Sequence, residues 1–198
     1  KIKLFLLVGI LLGISMQLHY LAIFLGVIIG AYIFIIRIYE RKKDTIREII
    51  IDYGLVILGF IVGWSPFLAF EVRHGFQNID SILSFVFKSG DTGGNVNFFP
   101  TVGNVFFRIF ARLMTNFPPP EQVSLRAHFP MAVWYALTLA LGLVSTAIIA
   151  YKFIKNFNNK DVFRKLSFLL LWLILGAGLF GFYKKPIYDY YFGFMFPL

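Results

Sequence analysis

Three residues that can carry charge or move a proton follow a long apolar run in the stretch FEVRHGF. Glu71, Arg73 and His74 fall within four positions. Arginine offers a planar, permanently charged fork that suits phosphate, and histidine titrates near neutral pH. The group is typical either of the polar end of an apolar helix or of part of a site for an anionic substrate. The residues alone leave both interpretations open.

Two further stretches combine polar and aromatic residues after an apolar run. They are QLHYL, with His19 and Tyr20, and YKKPIYDYY, with Lys184, Lys185, Asp189 and Tyr190. Paired lysines supply a second cationic point, while carboxylate and tyrosine side chains suit carbohydrate. The alternatives are structural: a helix cap for the histidine and the aspartate, and interfacial anchoring for the lysines.

The sequence predicts neither a metal site nor a cofactor. His19, His74 and His128 are far apart, none belongs to a ligand pair at helical spacing, and there is no cysteine. A thiolate metal site and a disulfide framework are therefore excluded.

Composition indicates an integral membrane protein. Hydrophobic residues make up 59% of the chain, a larger fraction than in an ordinary soluble domain. The mean hydropathy is +0.76. The net charge of +9 does not indicate nucleic-acid binding, because the basic residues lie mainly in short spacers between apolar runs.

The apolar runs predict an all-α, multi-spanning bundle that forms one transmembrane domain over residues 1–198, with an extracytoplasmic loop at 72–130. Spans are expected near residues 4–18, 21–38, 53–70, 131–153 and 166–182, and from 191 onward. The first two are predicted to be separate helices, because one helix over both would be too long for a single crossing. We expect the chain to be a fragment of a longer protein.

Two basic spacers set the predicted orientation. Residues 37–47 and 152–165 each carry five lysines and arginines, which places both spacers in the cytoplasm as charged connectors. The N-terminus is then cytoplasmic, and all the candidate site residues fall on the outer face.

Within the outer loop, residues 101–117 are predicted to form an interfacial helix. Apolar residues recur there at three- and four-residue spacings, and Arg108 and Arg112 fall one turn apart. We expect the arginines to lie at lipid head-group level. Either the helix only packs on the membrane domain, or Arg108 or Arg112 helps to hold an anionic lipid.

Pairs of glycines four residues apart predict close packing between membrane helices. The pairs begin at Gly9, Gly26 and Gly59.

The stretches GILLGISMQLHYLAIFL, SPFLAFEVRHGFQNI and YDYYFGFMFPL, in this order, resemble the bacterial branch of the protein-mannosyltransferase-like and aminoarabinose-transferase-like glycosyltransferases. The resemblance covers most of the chain. It implies a GT-C fold and an enzyme of the cell envelope, of the kind that takes part in protein glycosylation. Such an enzyme moves a sugar from a polyprenyl-phosphate donor to a glycan, lipid or protein acceptor outside the bacterial inner membrane.

The resemblance also implies roles for the candidate residues. Cations near the leaving phosphate lower the barrier electrostatically, which suits Arg73, His74, Lys184 and Lys185. Possible substrate-binding residues are His19, Tyr20, Glu71, Asp189 and Tyr190. His19 stands where many relatives have lysine, and a histidine there offers a hydrogen bond to phosphate but no permanent charge. The catalytic residue is expected to be an acidic one upstream of this stretch, so the fragment alone would be inactive.

Two other functions compete with this interpretation. A transporter or flippase of lipid-linked saccharides predicts ionisable residues at mid-membrane and broken helices in matching halves. A purely structural membrane subunit leaves the clustering of polar residues on one face unexplained.

Overall fold

The computed structural model describes residues 2–40, 44–88, 97–115 and 128–195. Within these residues the regular elements are all helical, and four helices are long and apolar enough to cross a membrane. These findings confirm the prediction of an all-α, multi-pass integral membrane protein in contact with lipid. The chain divides into two compact units, Lys1–Gly93 and Gly94–Leu198.

The described residues of the first unit form four α-helices. They are α1 (Ile2–Leu18), α2 (Ile23–Glu40), α3 (Thr45–His74) and α4 (Gln77–Phe87), with a 3-10 turn at Tyr20–Ala22 between α1 and α2. The 3-10 turn continues into α2, and this continuous stretch and α3 are two of the four long apolar helices. With 17 residues, α1 is shorter than these. The predicted division into two helices at His19 and Tyr20 is confirmed.

Glycines bring α1 and α3 into backbone contact. A methyl group on Gly9 would overlap the Val56 carbonyl, and one on Gly63 would overlap the Ile10 carbonyl. Only glycine permits this approach, so the packing role predicted for these residues is confirmed. Gly30 differs, because it meets the ring of Tyr53, whose hydroxyl donates to the Gly30 carbonyl over 2.7 Å.

Arg37 corrects one prediction about the spacers. It lies in α2, is 5% exposed, and its Nε donates to Asp52 Oδ2 of α3 over 2.6 Å. Its Nη1 and Nη2 pair with Glu48 and Asp52 respectively. A charge buried between apolar helices needs a counter-charge. Arg37 is therefore part of the helix packing and is not a simple connector residue.

The second unit is built around two long apolar helices. Its elements are α5 (Phe98–Phe107), a π-helical turn (Arg108–Arg112), α6 (Leu113–Thr115), α7 (Phe129–Lys155), α8 (Lys160–Gly178) and two 3-10 helices, Leu179–Phe182 and Asp189–Met195. Asn159 begins α8 by accepting from the backbone N–H of Asp161 over 3.1 Å. The sixth span is predicted from residue 191 onward. Residues 191–195 belong to the 3-10 helix Asp189–Met195, and residues 196–198 lie outside the described residues.

Aromatic side chains fill the core of the second unit. Phe180 and Phe192, one from each 3-10 helix, are buried with ring centroids 5.2 Å apart in an edge-to-face arrangement. Trp172 of α8 donates from Nε1 to the Phe194 carbonyl over 3.1 Å. These contacts attach the C-terminal 3-10 helix to α8 and so position the residues that precede it.

The predicted interfacial helix differs from the expectation in two ways. Helical structure begins at Phe98, and a π turn interrupts it at Arg108–Arg112. The helix packs against α8 and the 3-10 turn at Leu179–Phe182, while the π turn packs against α7. Residues 116 and 117 lie outside the described part of the chain.

Candidate anion-binding cleft

Two arginines converge on one carboxylate in the second unit. Arg108 donates from Nε to Asp189 Oδ1 over 2.9 Å and from Nη2 to the same oxygen. Arg112 pairs through Nη2 with Asp189 Oδ2. Both arginine side chains are almost buried, whereas that of Asp189 is 35% exposed. Both arginines therefore bind a carboxylate of their own chain, which is the packing alternative weighed from the sequence. Their position at lipid head-group level stays a prediction.

The π turn and the arginine fork explain this arrangement. A π turn is wider than an α turn and often occurs at functional sites; here both arginines lie within it. Arg108 also donates from Nη1 to the Ile187 carbonyl over 2.7 Å. Its guanidinium carbon lies 5.0 Å from the centroid of the Phe192 ring. Arg108 thus holds both the backbone before Asp189 and its carboxylate.

A cleft of about 560 Å³ opens beside this ion-pair cluster. Its lining residues are Asn97, Pro100, Thr101, Asn104, Arg108, Tyr183, Lys184, Lys185 and Ile187. Three of these are cationic, and the described lining includes no carboxylate. Both lysines are exposed. A concave surface with charges of one sign attracts an oppositely charged ligand, so this cleft, here called the cationic cleft, suits an anion.

Tyrosines follow the cleft-lining lysines in the chain. The Tyr188 and Tyr190 rings stack with centroids 5.7 Å apart, and Tyr190 is 66% exposed. A hydrogen bond with Tyr191 raises the pKa of the Tyr190 hydroxyl, with further contributions from desolvation and from charge on Tyr191. The Tyr190 hydroxyl is therefore bonded to Tyr191, and the exposed part of Tyr190 is its ring beside Tyr188.

Glu71 has a structural role that corrects the prediction of a substrate contact. The residue is 0% exposed, and its Oε2 accepts from the backbone N–H groups of Asn78 over 3.1 Å and Ile79 over 3.0 Å. Its Oε1 accepts from Asn78 Nδ2 over 2.6 Å. These donors are at the positive N-terminus of α4. Glu71 therefore caps the next helix across a corner formed by Gly75 and Phe76, both of which have positive φ angles.

Arg73 and His74 lie on the exposed side of the same helix end. The His74 ring stacks on Phe70 at 4.0 Å, and its Nδ1 is 2.8 Å from the Phe70 carbonyl oxygen. Arg73 is exposed and forms no ion pair with any acidic residue in the described part of the chain. A phosphate-binding role for these two residues stays a prediction.

His19 caps the turn between α1 and α2. Its Nδ1 accepts from the Leu21 backbone N–H over 3.2 Å, and its ring stacks on Tyr20 at 5.1 Å. This is the structural alternative weighed from the sequence. Tyr20 remains 40% exposed and accessible.

The structure thus brings Lys184 and Lys185 together with Arg108 in the cationic cleft. The sequence did not predict that Arg108 lies with these lysines. Arg73 and His74 lie in the other unit. No three histidine, aspartate or glutamate side chains converge within the described ranges, so these offer no ready set of metal ligands. No family model, curated protein or solved structure matches the chain.

Proposed function

We propose that this chain is the membrane part of a glycosyltransferase that uses a polyprenyl-phosphate-linked sugar on the outer face of a bacterial inner membrane. The observation that carries the proposal is the cationic cleft, with Arg108, Lys184 and Lys185 and no carboxylate in its described lining. A lipid-linked donor needs an anion site in a membrane protein. The sequence resemblance to GT-C enzymes supports the same reaction class.

The residues of the cleft have distinct tasks in this reaction. The bond between the anomeric carbon and the phosphate oxygen breaks, and the acceptor oxygen forms the new bond while its proton passes to a base. Negative charge then builds on the leaving phosphate, and Lys184 and Lys185 stabilise that charge. The exposed rings of Tyr188 and Tyr190 offer faces for the sugar.

Neither of the carboxylates named from the sequence serves as that base. Glu71 is occupied by three donors at the start of α4, and Asp189 is occupied by two arginines. The proposal therefore keeps the base in an acidic residue upstream of this stretch, as the resemblance implies.

The test removes the two lysine charges from the full-length protein in nanodiscs. We expect Lys184→Gln/Lys185→Gln to weaken binding of farnesyl phosphate at least tenfold and to slow sugar transfer, because charge-assisted hydrogen bonds contribute about 1.5–3 kcal/mol each. The matched control is Lys152→Gln/Lys155→Gln, which removes two exposed charges at the end of α7. Titration calorimetry measures affinity, and radiolabelled sugar measures transfer.

Wild-type affinity in the Lys184/Lys185 variant, or an equal loss in the control, contradicts the proposed site. Tight binding of the lipid phosphate with movement across the membrane but without transfer would favour the transporter or flippase instead.

A further inference from the structure

We infer that Asp189 is a positioning residue of the cationic cleft, which holds the Lys184–Lys185 segment in place through Arg108 and Arg112. The inference rests on the proposed function for the role of the lysines. It differs from the sequence-based prediction, in which Asp189 contacts a sugar.

Residues 184–188 are irregular chain between two 3-10 helices, and Tyr183 before them donates its backbone N–H to the Phe180 carbonyl over 2.9 Å. An irregular segment has no helical hydrogen bonds to fix it, so its place depends on side-chain attachments. Arg108 supplies one at the Ile187 carbonyl, and Arg108 with Arg112 supplies another at the Asp189 carboxylate. Lys185 is two residues from the nearer attachment, which restricts its backbone to within about 7 Å of that point.

The second attachment depends on the Asp189 carboxylate. Asp189 uses Oδ1 for Arg108 and Oδ2 for Arg112, so a single side chain holds both arginines of the π turn. Arg108 is at the same time a wall of the cleft. Loss of the carboxylate therefore removes the second attachment of the lysine segment and, at the same time, the ion pair that holds Arg108 as a wall of the cleft.

The sign of the effect separates positioning from simple electrostatics. Asp189→Asn removes a negative charge close to the cleft, which by charge alone raises its affinity for an anion. A positioning role predicts a lower affinity, because lysines on a mobile segment must be ordered when they bind phosphate, whereas lysines on a fixed segment are already in place. The variant keeps the size and shape of the side chain.

The first experiment titrates Asp189→Asn with farnesyl phosphate in nanodiscs, alongside Asp161→Asn. Asp161 is an exposed acid on α8 of the same unit, with an Arg164 contact at 3.8 Å, and matches the change in charge. We expect at least fivefold weaker binding for Asp189→Asn and none of this loss for Asp161→Asn. Unchanged or tighter binding by Asp189→Asn overturns the inference. Inorganic phosphate and farnesol, titrated in parallel, separate the contributions of the phosphate and the lipid chain.

The second experiment measures the position of the lysine segment directly. The native chain has no cysteine, so spin labels at Asn104→Cys and Lys185→Cys, both in the cleft lining, report one distance by EPR. We expect a narrow distribution with Asp189 and a broad one with Asp189→Asn. An unchanged distribution overturns the inference even if affinity falls.

A conservative variant guards against loss of folding. Arg108→Lys keeps the charge but cannot reach Asp189 and the Ile187 carbonyl with one planar fork, so we expect the same broadening. A narrow distribution in this variant also overturns the inference. If the distribution broadens while the unsubstituted protein does not bind farnesyl phosphate, the proposed function fails and the positioning role stands.

Discussion

The buried ion pair between Arg37 of α2 and Asp52 of α3 predicts how much the free energy of unfolding depends on each of its charges. We expect Asp52→Ala to lower the free energy of unfolding by about 3 kcal/mol. Breaking a buried pair by removing one partner costs about 3–5 kcal/mol, because the remaining charge stays buried. Arg37 keeps its contact with Glu48, whose side chain is 32% exposed. That partial compensation favours the lower end of the range.

The informative comparison is a double variant. Arg37→Met/Asp52→Leu removes both buried charges and fills the space with apolar groups, which is often neutral or stabilising. We therefore expect its stability within about 1 kcal/mol of wild type. Asp161→Ala, which removes an exposed carboxylate with a 3.8 Å contact to Arg164, should cost less than about 1 kcal/mol.

Reversible unfolding in mixed micelles with increasing sodium dodecyl sulfate, followed by circular dichroism, measures all three variants. The reasoning is refuted if Asp52→Ala costs no more than Asp161→Ala, or if the double variant is as unstable as the single one. In either case the charges would not be buried against each other in the membrane.

The remaining predictions concern helix packing and orientation. Gly9→Ala should disrupt the α1–α3 contact, because its methyl group meets the Val56 carbonyl, whereas Gly54→Ala should be neutral since nothing lies within 4 Å of its added methyl group; the same unfolding assay separates them, and equal costs would argue against the contact. For orientation, single cysteines at Asp80 and Asn158 should react with a membrane-impermeant maleimide from opposite sides of intact cells, and labelling from one side would contradict the predicted topology.

The helices and one of their contacts were predictable from the sequence because the signals are local. Apolar runs of about 20 residues specify membrane helices directly. The glycines at positions 9, 13, 59 and 63 indicated where helices approach closely, since a missing side chain is the condition for backbone contact. The sequence did not specify which helix pairs with which, because α1, α2 and α3 all carry the same glycine spacing.

The candidate site was less predictable, because its contacts join distant parts of the chain. Arg108 and Asp189 are 81 residues apart, and no spacing rule connects them. The Arg37–Asp52 pair was within reach of sequence reasoning, since two opposite charges in adjacent apolar helices each need a partner. Glu71 was interpreted with its neighbours Arg73 and His74, but its ligands are the N–H groups at the start of the next helix. A glycine four residues after an acid, followed by a new helix, was the signal available.

The close contact between α1 and α3 constrains how both helices tilt in the membrane. At 1.5 Å per residue, the 30 residues of α3 extend about 45 Å. A hydrocarbon layer of about 30 Å is thinner than this, so α3 fits it by tilting or by placing its polar ends among the lipid head groups. Because glycines hold the two backbones in contact, α1 follows any tilt that α3 adopts. The two helices therefore enter the bilayer with a fixed angle between them.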